Sequence, residues 1–341
     1  MFQEALYFGP VQAPADHNLF SEFDCFQIFI DLPDMIAILA PCFNEESTII
    51  TFLRQLEDVL INLGEEFYVV IVDDCSQDDS LKQLSEFAFR GKNIRFDLLQ
   101  LKFNVGHQPA IYQGLLYLTH LRPDHVIIMD SDGEDDPRAI PMLVEKKDFE
   151  IVEVKRGKRS ESLSFKIAYF FYKLIFRFIT GQTIDFGNFC LVDTKIVDRI
   201  KHTSFVHFPA YLLKQKASRT SIIYNRGKRI DGKSKMGNKG LLLHAFKSMI
   251  EFAEDLLLLF FRMFIILIIL FVVVLANIIY QKFVTQTAIA GWFSTLSISL
   301  IILAVLCLGF FVIGILLLNL MHQQNIRSFK DIYSVIKQDK L

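Results

Sequence analysis

The 341-residue chain has one tryptophan and five cysteines, and no two cysteines form a C-x-x-C pair. Cys25, Cys42, Cys75, Cys190 and Cys307 are scattered. That excludes a disulfide scaffold or a zinc ribbon and fits a reducing compartment, with thiols as small core residues. The histidines at 107, 125, 202, 207 and 244 show no ligand spacing, so they read as structural and a His-based zinc site is excluded. Neither G-x-x-x-x-G-K-[ST] nor G-x-G-x-x-G occurs, which removes the P-loop and the dinucleotide fingerprint. The N-terminus lacks the cationic start and continuous apolar region of a signal peptide. Residues 1–34 have six acids and no Lys or Arg; they read as an aromatic-rich extension, and nothing in them points to a function.

Charge is missing from two long runs. Met263 to Gln281 and Phe283 to Met321 contain no Asp, Glu, Lys or Arg, in a chain that is 52% hydrophobic. A membrane-spanning helix needs about 20 apolar residues. The runs therefore predict two transmembrane helices, over 256–281 and 288–320, with a tail at 321–341. The net charge of −2 averages opposite local fields. Residues 155–177 hold seven basic side chains against Glu161, and 219–240 hold seven against Asp231. Beside membrane segments, such runs favour anionic lipid or phosphate over nucleic acid. The loop between the spans carries only Lys282, whereas Arg262, Arg327, Lys330 and Lys337 flank the pair. The positive-inside rule places both termini and the domain in the cytoplasm, with a bacterial inner membrane as the expected host.

Before the spans, apolar runs alternate with helical periodicity. Strands are expected at 35–40, 67–72, 94–101, 125–129 and 149–154. Helices are expected from a cap at Asn44 to Leu63, over 79–90, over 109–120, and from Pro137. This alternation predicts an α/β fold with a mostly parallel sheet over 35–238, helices on both faces and ligands at the carboxyl ends of the strands. The aromatic run 164–180 reads as a helix packed on the sheet. Residues 239–255 read as an amphipathic juxtamembrane helix, suited either to the interface or to packing on the domain.

Three strand ends are polar: Pro41-Cys42-Phe43-Asn44-Glu45, Asp73-Asp74-Cys75-Ser76-Gln77-Asp78, and Asp130-Ser131-Asp132-Gly133-Glu134-Asp135-Asp136. The last places five carboxylates in seven residues, directly after the apolar run Val126-Ile127-Ile128-Met129. Carboxylates so close repel unless a cation lies between them. An oxygen-only set suits Mg²⁺ or Mn²⁺. Asp130 and Asp132 are the expected ligands, Glu134 is a third candidate, and Asp135 and Asp136 read as the cap of the helix that Pro137 begins.

In this order the motifs resemble a GT-A-fold, family 2 inverting glycosyltransferase. The branch is that of dolichol-phosphate mannose synthase and the bacterial polyprenyl-phosphate glycosyltransferases. The matching pieces are Pro41-Cys42-Phe43-Asn44-Glu45-Glu46 (Phe where the family has Tyr), Val72 to Asp78, Asn104-Val105-Gly106 with Ala110 and Gly114, and Asp130-Ser131-Asp132. Arg226-Gly227-Lys228-Arg229 and Gly232-Lys233-Ser234-Lys235-Met236 follow before the first span. The resemblance covers roughly 35–320 and includes the spans.

The resemblance implies a nucleotide-sugar site at Pro41, Phe43, Glu45, Asp74, Asp78, Asn104 and Asp130. Glu45 and Asp74 would accept from ribose and base donors. It further implies a Mg²⁺ or Mn²⁺ ion on Asp130, Asp132 and Glu134, and phosphate contacts from Arg156 and Arg159. Arg226, Arg229, Lys233 and Lys235 would meet the acceptor phosphate or the membrane surface. The implied reaction moves a hexose from a UDP- or GDP-sugar to a polyprenyl or dolichyl phosphate, at the bilayer and in a homo-oligomer. Such a phosphate is already an anionic nucleophile, with a second ionisation near pKa ~6. If the acceptor were a hydroxyl on a lipid-linked sugar or glycan, a base would be needed, and Asp185 is the best candidate. Phe189-Cys190, where relatives more often have Phe-Arg, leaves the acceptor side open. A nucleotide-sugar-binding membrane scaffold without catalysis is the non-enzymatic alternative.

Overall fold

A computed structural model describes residues 35–156, 163–224, 245–285, 291–328 and 332–338. Its central feature is an eight-stranded sheet ordered β7-β5-β6-β4-β1-β2-β3-β8. The strands are β1 (Met35–Cys42), β2 (Glu66–Asp73), β3 (Ile94–Leu101), β4 (His125–Ile128), β5 (Ile151–Arg156), β6 (Phe186–Asp193), β7 (Arg219–Tyr224) and β8 (Tyr333–Gln338). β1 is parallel to β2 and β4, β2 to β3, and β5 to β7. β6 runs against β4 and β5, and β8 against β3. Six strands thus share one direction, as expected of a mostly parallel sheet. β6, β7 and β8 had no counterpart among the expected strands, and β8 lies within the segment read as a tail.

Every residue of β1, and all but the first of β2, is buried. Side chains that alternate between faces can all be buried only when both faces are covered. One face is covered by α1 (Ile49–Leu60), α2 (Ser80–Glu86) and α4 (Ile140–Val144), meeting Ile36, Ile38, Val69 and Ile71. The other meets α3 (His107–Leu121), α6 (Thr194–Arg199) and α7 (Phe208–Lys214) over Ala37, Leu39, Val70 and Val72. α3 lies so close to the sheet that a Cβ on Gly114 would stand 2.9 Å from Val72 Cγ2 and closer still to Leu39 Cδ1. The chain steps outward from β1 to β2 to β3, then returns through α3 to β4 on the other side of β1. That reversal creates a crevice at the carboxyl ends of β1 and β4, the usual ligand position in such sheets.

Three local expectations need correction. Asn44 does not cap α1: its φ is +53°, the helix begins at Ile49, and its first turn has no acid. α2 ends at Glu86 rather than 90, because Phe87 turns extended (ψ 142°) and packs with Phe89 against Phe96, at ring distances of 6.2 and 5.6 Å. The aromatic helix α5 (Leu163–Thr180) buries Phe176 but leaves Phe170 63% and Phe178 74% exposed, so only one side packs on the domain.

On that packed side, Phe176 meets Phe252 edge-on at 5.3 Å, and Tyr172 Oη shares a 2.7 Å hydrogen bond with Ser248 Oγ. Ser248 belongs to α8 (245–250), which exposes Phe246 and Ile250. A turn at Glu251-Phe252 separates α8 from α9 (Ala253–Tyr280), which continues as a π-helical turn over Gln281–Thr285. There the Glu251 carboxylate accepts from the backbone N–H of Val206 (2.8 Å) and His207 (3.3 Å), fastening the turn to the domain. α9 and α10 (Trp292–Ser328) are long and apolar enough to cross a membrane, and none of the α9 span is buried. They pack together through Phe260 on Phe310 (5.6 Å) and Phe261 on Phe311 (5.0 Å).

Candidate active site

The first two polar strand ends are stitched together by the groups that the motif positions supply. Asp74 N–H donates to the Cys42 carbonyl at 2.8 Å. Asn44 N–H donates to Ser76 Oγ (3.0 Å), and Asn44 Oδ1 accepts from Gln77 N–H (2.8 Å). Glu45 N–H donates to Ser80 Oγ (2.8 Å), and its carboxylate accepts from Thr48 Oγ1 (2.7 Å). Asp78 accepts from Glu46 N–H at 3.1 Å and Ser80 N–H at 3.0 Å. Burial would raise its pKa, but these hydrogen bonds outweigh it and bring the carboxyl below its ordinary value.

Asp74 is 2% exposed, and its two oxygens each accept a 2.8 Å hydrogen bond, from Val105 N–H and Gly106 N–H. Asn104 Nδ2 donates to the Asp74 carbonyl at 3.2 Å. Asp74 and Asn104 thus come together, and Asp74 fixes the turn that starts α3. Burial dominates its titration and raises its pKa, against those N–H bonds and nearby His107. Gly106, at φ +90°, takes a backbone conformation that a side chain would strain.

The acidic loop follows β4. Ser131 Oγ ties it to the carbonyl of Pro41 at 2.7 Å, and Phe43 is exposed at its side of the crevice. Asp132 Oδ1 accepts Glu134 N–H at 2.9 Å across Gly133, whose φ is +80°. Asp136 accepts Arg138 N–H and caps the turn at Pro137, as expected. Asp135 does not share that role. It is 4% exposed and turns inward to accept Asp130 N–H at 2.9 Å, setting the angle at which Asp130 leaves the strand.

Beside Asp130 stand residues that the sequence reading passed over. His107 Nε2 lies 3.2 Å from Asp130 Oδ1, and Asn188 Nδ2 is 3.4 Å from the same oxygen. Burial would lower the His107 pKa, but the charges of Asp130, Asp132 and Asp74 outweigh it and raise it. His107 is the first residue of α3 and Asn188 belongs to β6, so neither betrays the other in sequence. The only available signal was the Asn104-Val105-Gly106 turn, which delivers the next residue to a helix start.

Among the described residues, no three His, Cys, Asp or Glu side chains already converge as a cation site. The chemistry at the end of β4 nonetheless fits a divalent ion: two carboxylates two residues apart, on a turn pinned by Ser131, Asp135 and Gly133. Asp185 pairs with Lys155 at 3.2 Å. β5 ends at Arg156, whose side chain lies outside the described residues, as do Arg159, Arg226, Arg229, Lys233 and Lys235.

Residues 37–198 match the glycosyl transferase family 2 model. An uncharacterized glycosyltransferase of Bacillus subtilis, YkcC, is 28% identical over 291 residues, which is 82% of this chain and 87% of that one. The undecaprenyl-phosphate 4-deoxy-4-formamido-L-arabinose transferase of Klebsiella pneumoniae is 29% identical over 155 residues, 45% of this chain and 46% of its own length. Glucosyl-3-phosphoglycerate synthase of Mycobacterium tuberculosis, solved with Mn²⁺, UDP-glucose and phosphoglyceric acid, covers 65% of this chain and 79% of its own at 12% identity and a TM-score of 0.48. Residues 37–198 are thus a family 2 glycosyltransferase domain, carried on a chain that continues into two long apolar helices.

Proposed function

We propose that the protein transfers a hexose, with inversion, from a UDP- or GDP-sugar to a polyprenyl or dolichyl phosphate at the cytoplasmic face of a membrane. The observation that carries this reading is the meeting of three polar strand ends in one crevice, on a chain that also exposes two apolar helices. Glu45, Asp74, Asp78 and Asn104, with Pro41 and Phe43, form the nucleoside side. A Mg²⁺ or Mn²⁺ ion on Asp130 and Asp132, with Glu134 as a third oxygen donor, would supply Lewis-acid neutralisation of the diphosphate.

An acceptor phosphate oxygen forms the new bond to C1 of the sugar from the side opposite the diphosphate. The C1–O bond breaks, and the nucleoside diphosphate leaves with the electron pair. Arg156 and Arg159 would orient phosphate, and Arg226, Arg229, Lys233 and Lys235 would draw the lipid headgroup in. A phosphate nucleophile needs no general base. The Lys155–Asp185 ion pair engages the carboxylate that a hydroxyl acceptor would need as its base, which supports the phosphate reading. The exposed aromatics of α5, with Phe246 and Ile250 of α8, suit a bilayer surface beside α9.

The test is turnover by the purified full chain in detergent, with labelled UDP- or GDP-sugars, polyprenyl phosphate and Mg²⁺ or Mn²⁺. Lipid-soluble label that chelation abolishes, and that Asp132→Ala removes without unfolding the protein, is the expected result. Label formed only with a hydroxyl acceptor overturns the acceptor assignment. Near-normal turnover by Asp132→Ala overturns the cation role.

A further inference from the structure

Two phenylalanines at the strand ends are exposed although the backbone on both sides of each is held. Phe43, after β1, is 40% exposed, and Phe103, after β3, is 55% exposed. Phe43 lies between Cys42, whose carbonyl accepts Asp74 N–H at 2.8 Å, and Asn44, whose N–H donates to Ser76 Oγ at 3.0 Å. Phe103 lies between Lys102, whose N–H donates to the Ile332 carbonyl at 2.8 Å, and Asn104, whose Nδ2 donates to the Asp74 carbonyl at 3.2 Å. Asp74 therefore fastens both aromatics to the end of β2, by its N–H beside the first and its carbonyl beside the second. A ring on a fixed backbone loses little freedom when a ligand covers it, and the covered apolar area then favours binding.

The spacing suits a nucleobase. The sheet runs β1-β2-β3, so the two residues leave the strands on either side of β2. Strands separated by one other lie about 10 Å apart. A base stacked with offset between two aromatic rings has each ring centre at least about 4.5 Å from its own, a span of about 9 Å. Hydrogen bonds from a base to the Asp74 carboxylate compete with the Val105 and Gly106 N–H groups that its two oxygens already accept. Stacking on the exposed rings displaces only water.

We propose that Phe43 and Phe103 are the two walls of a slot that grips the nucleobase of the donor over the end of β2. The inference rests on the nucleotide-sugar site proposed above. It adds Phe103 to that site as a binding residue and assigns the hold on the base to stacking, with Asp74 and Asn104 setting where the second wall stands.

The test is calorimetric titration of the full chain in detergent with UDP and with GDP, each in the presence of Mn²⁺. Expected is about tenfold weaker binding of the accepted nucleotide in Phe103→Ala, as in Phe43→Ala. Phe103→Leu, which keeps an apolar side chain without a ring face, should lose as much, and Phe103→Tyr should keep the wild-type affinity. Phe103→Trp reports on the slot directly. With Trp292, the one native tryptophan, replaced by Phe, its fluorescence should be quenched as the nucleotide binds. Affinity that Phe103→Ala leaves unchanged, or that Phe103→Leu preserves, overturns the slot while leaving the nucleotide site in place. A wild type that binds neither UDP nor GDP overturns the nucleotide-sugar reading and the slot with it.

Discussion

Replacing Asp74 with alanine separates a structural from a ligand-binding role, because the structure gives the carboxylate defined work before any nucleotide arrives. Its two oxygens receive Val105 N–H and Gly106 N–H at 2.8 Å each, at a site only 2% exposed. Hydrogen bonds to a charged group contribute about 1.5–3 kcal/mol each, so the pair contributes roughly 3–6 kcal/mol. Against this stands the cost of burying the charge, seen in the raised pKa of Asp74. Removing the side chain also removes that cost, which brings the expected loss to about 2–4 kcal/mol. At about 2–4 °C per kcal/mol for a domain of this size, the melting temperature should fall by roughly 5–15 °C without nucleotide. Asparagine should rescue little, since its NH₂ would confront one of the two N–H donors. Thermal melting of the ligand-free protein in detergent, alongside UDP and GDP affinity, is the assay. A variant that melts like the wild type yet loses nucleotide affinity would refute the structural role and leave Asp74 as a ligand contact alone.

Gly114→Ala should lower the denaturant midpoint by about 1–3 kcal/mol of stability, although alanine is the better helix former by about 1 kcal/mol. The added Cβ has no room against Leu39 and Val72, and an unchanged midpoint would show that α3 can lift from the sheet. Asp78, whose folded pKa is lowered, adds stability that is fully present above its unfolded value near pH ~4 and lost as pH falls through the folded value. The melting-temperature gap between wild type and Asp78→Asn should therefore be widest near pH 7 and close at more acid pH. A constant gap would contradict the assignment.

What could be read from the chain was what neighbouring residues encode together. β1, β2 and β4 are built on uninterrupted apolar runs, and the spans are uncharged runs, so composition is sufficient for both. β6 reads Phe-Gly-Asn-Phe-Cys-Leu-Val-Asp, and its Gly and Asn conceal a buried strand that only its partners β4 and β5 reveal. β8 owes its existence to β3, which lies more than 200 residues earlier. The same limit explains the site. Asp130 and Asp132 were legible because they adjoin a strand end. His107 was set aside because the groups that meet its ring, Asp130 and Asn188, come from other elements. Asp135 was misassigned for a related reason: a carboxylate one residue before a cap looks like part of the cap until its burial is known.

The pairing of β8 also bears on how the apolar helices meet a bilayer. After α10, Lys102 N–H donates to the Ile332 carbonyl at 2.8 Å, and the register continues from Leu101↔Tyr333 to Asp97↔Gln338. Tyr333 rests edge-on against Tyr117 at 5.8 Å, and the amine of Lys337 reaches the carbonyl of Phe87. The chain therefore leaves the sheet through Glu251 and α9 and rejoins the same sheet after α10. A path that starts and ends on one body crosses any slab an even number of times. At 1.5 Å per residue, the 28 residues of α9 and the 37 of α10 each exceed a hydrocarbon thickness of about 30 Å. They also pack so closely that a Cβ on Gly314 would collide with Leu257. If the helices span, they do so as a hairpin, and the crevice at the strand ends and β8 lie on one side whatever the charges of the flanking loops. Flanking charge then decides only which side that is, a narrower question than the one it was asked from sequence.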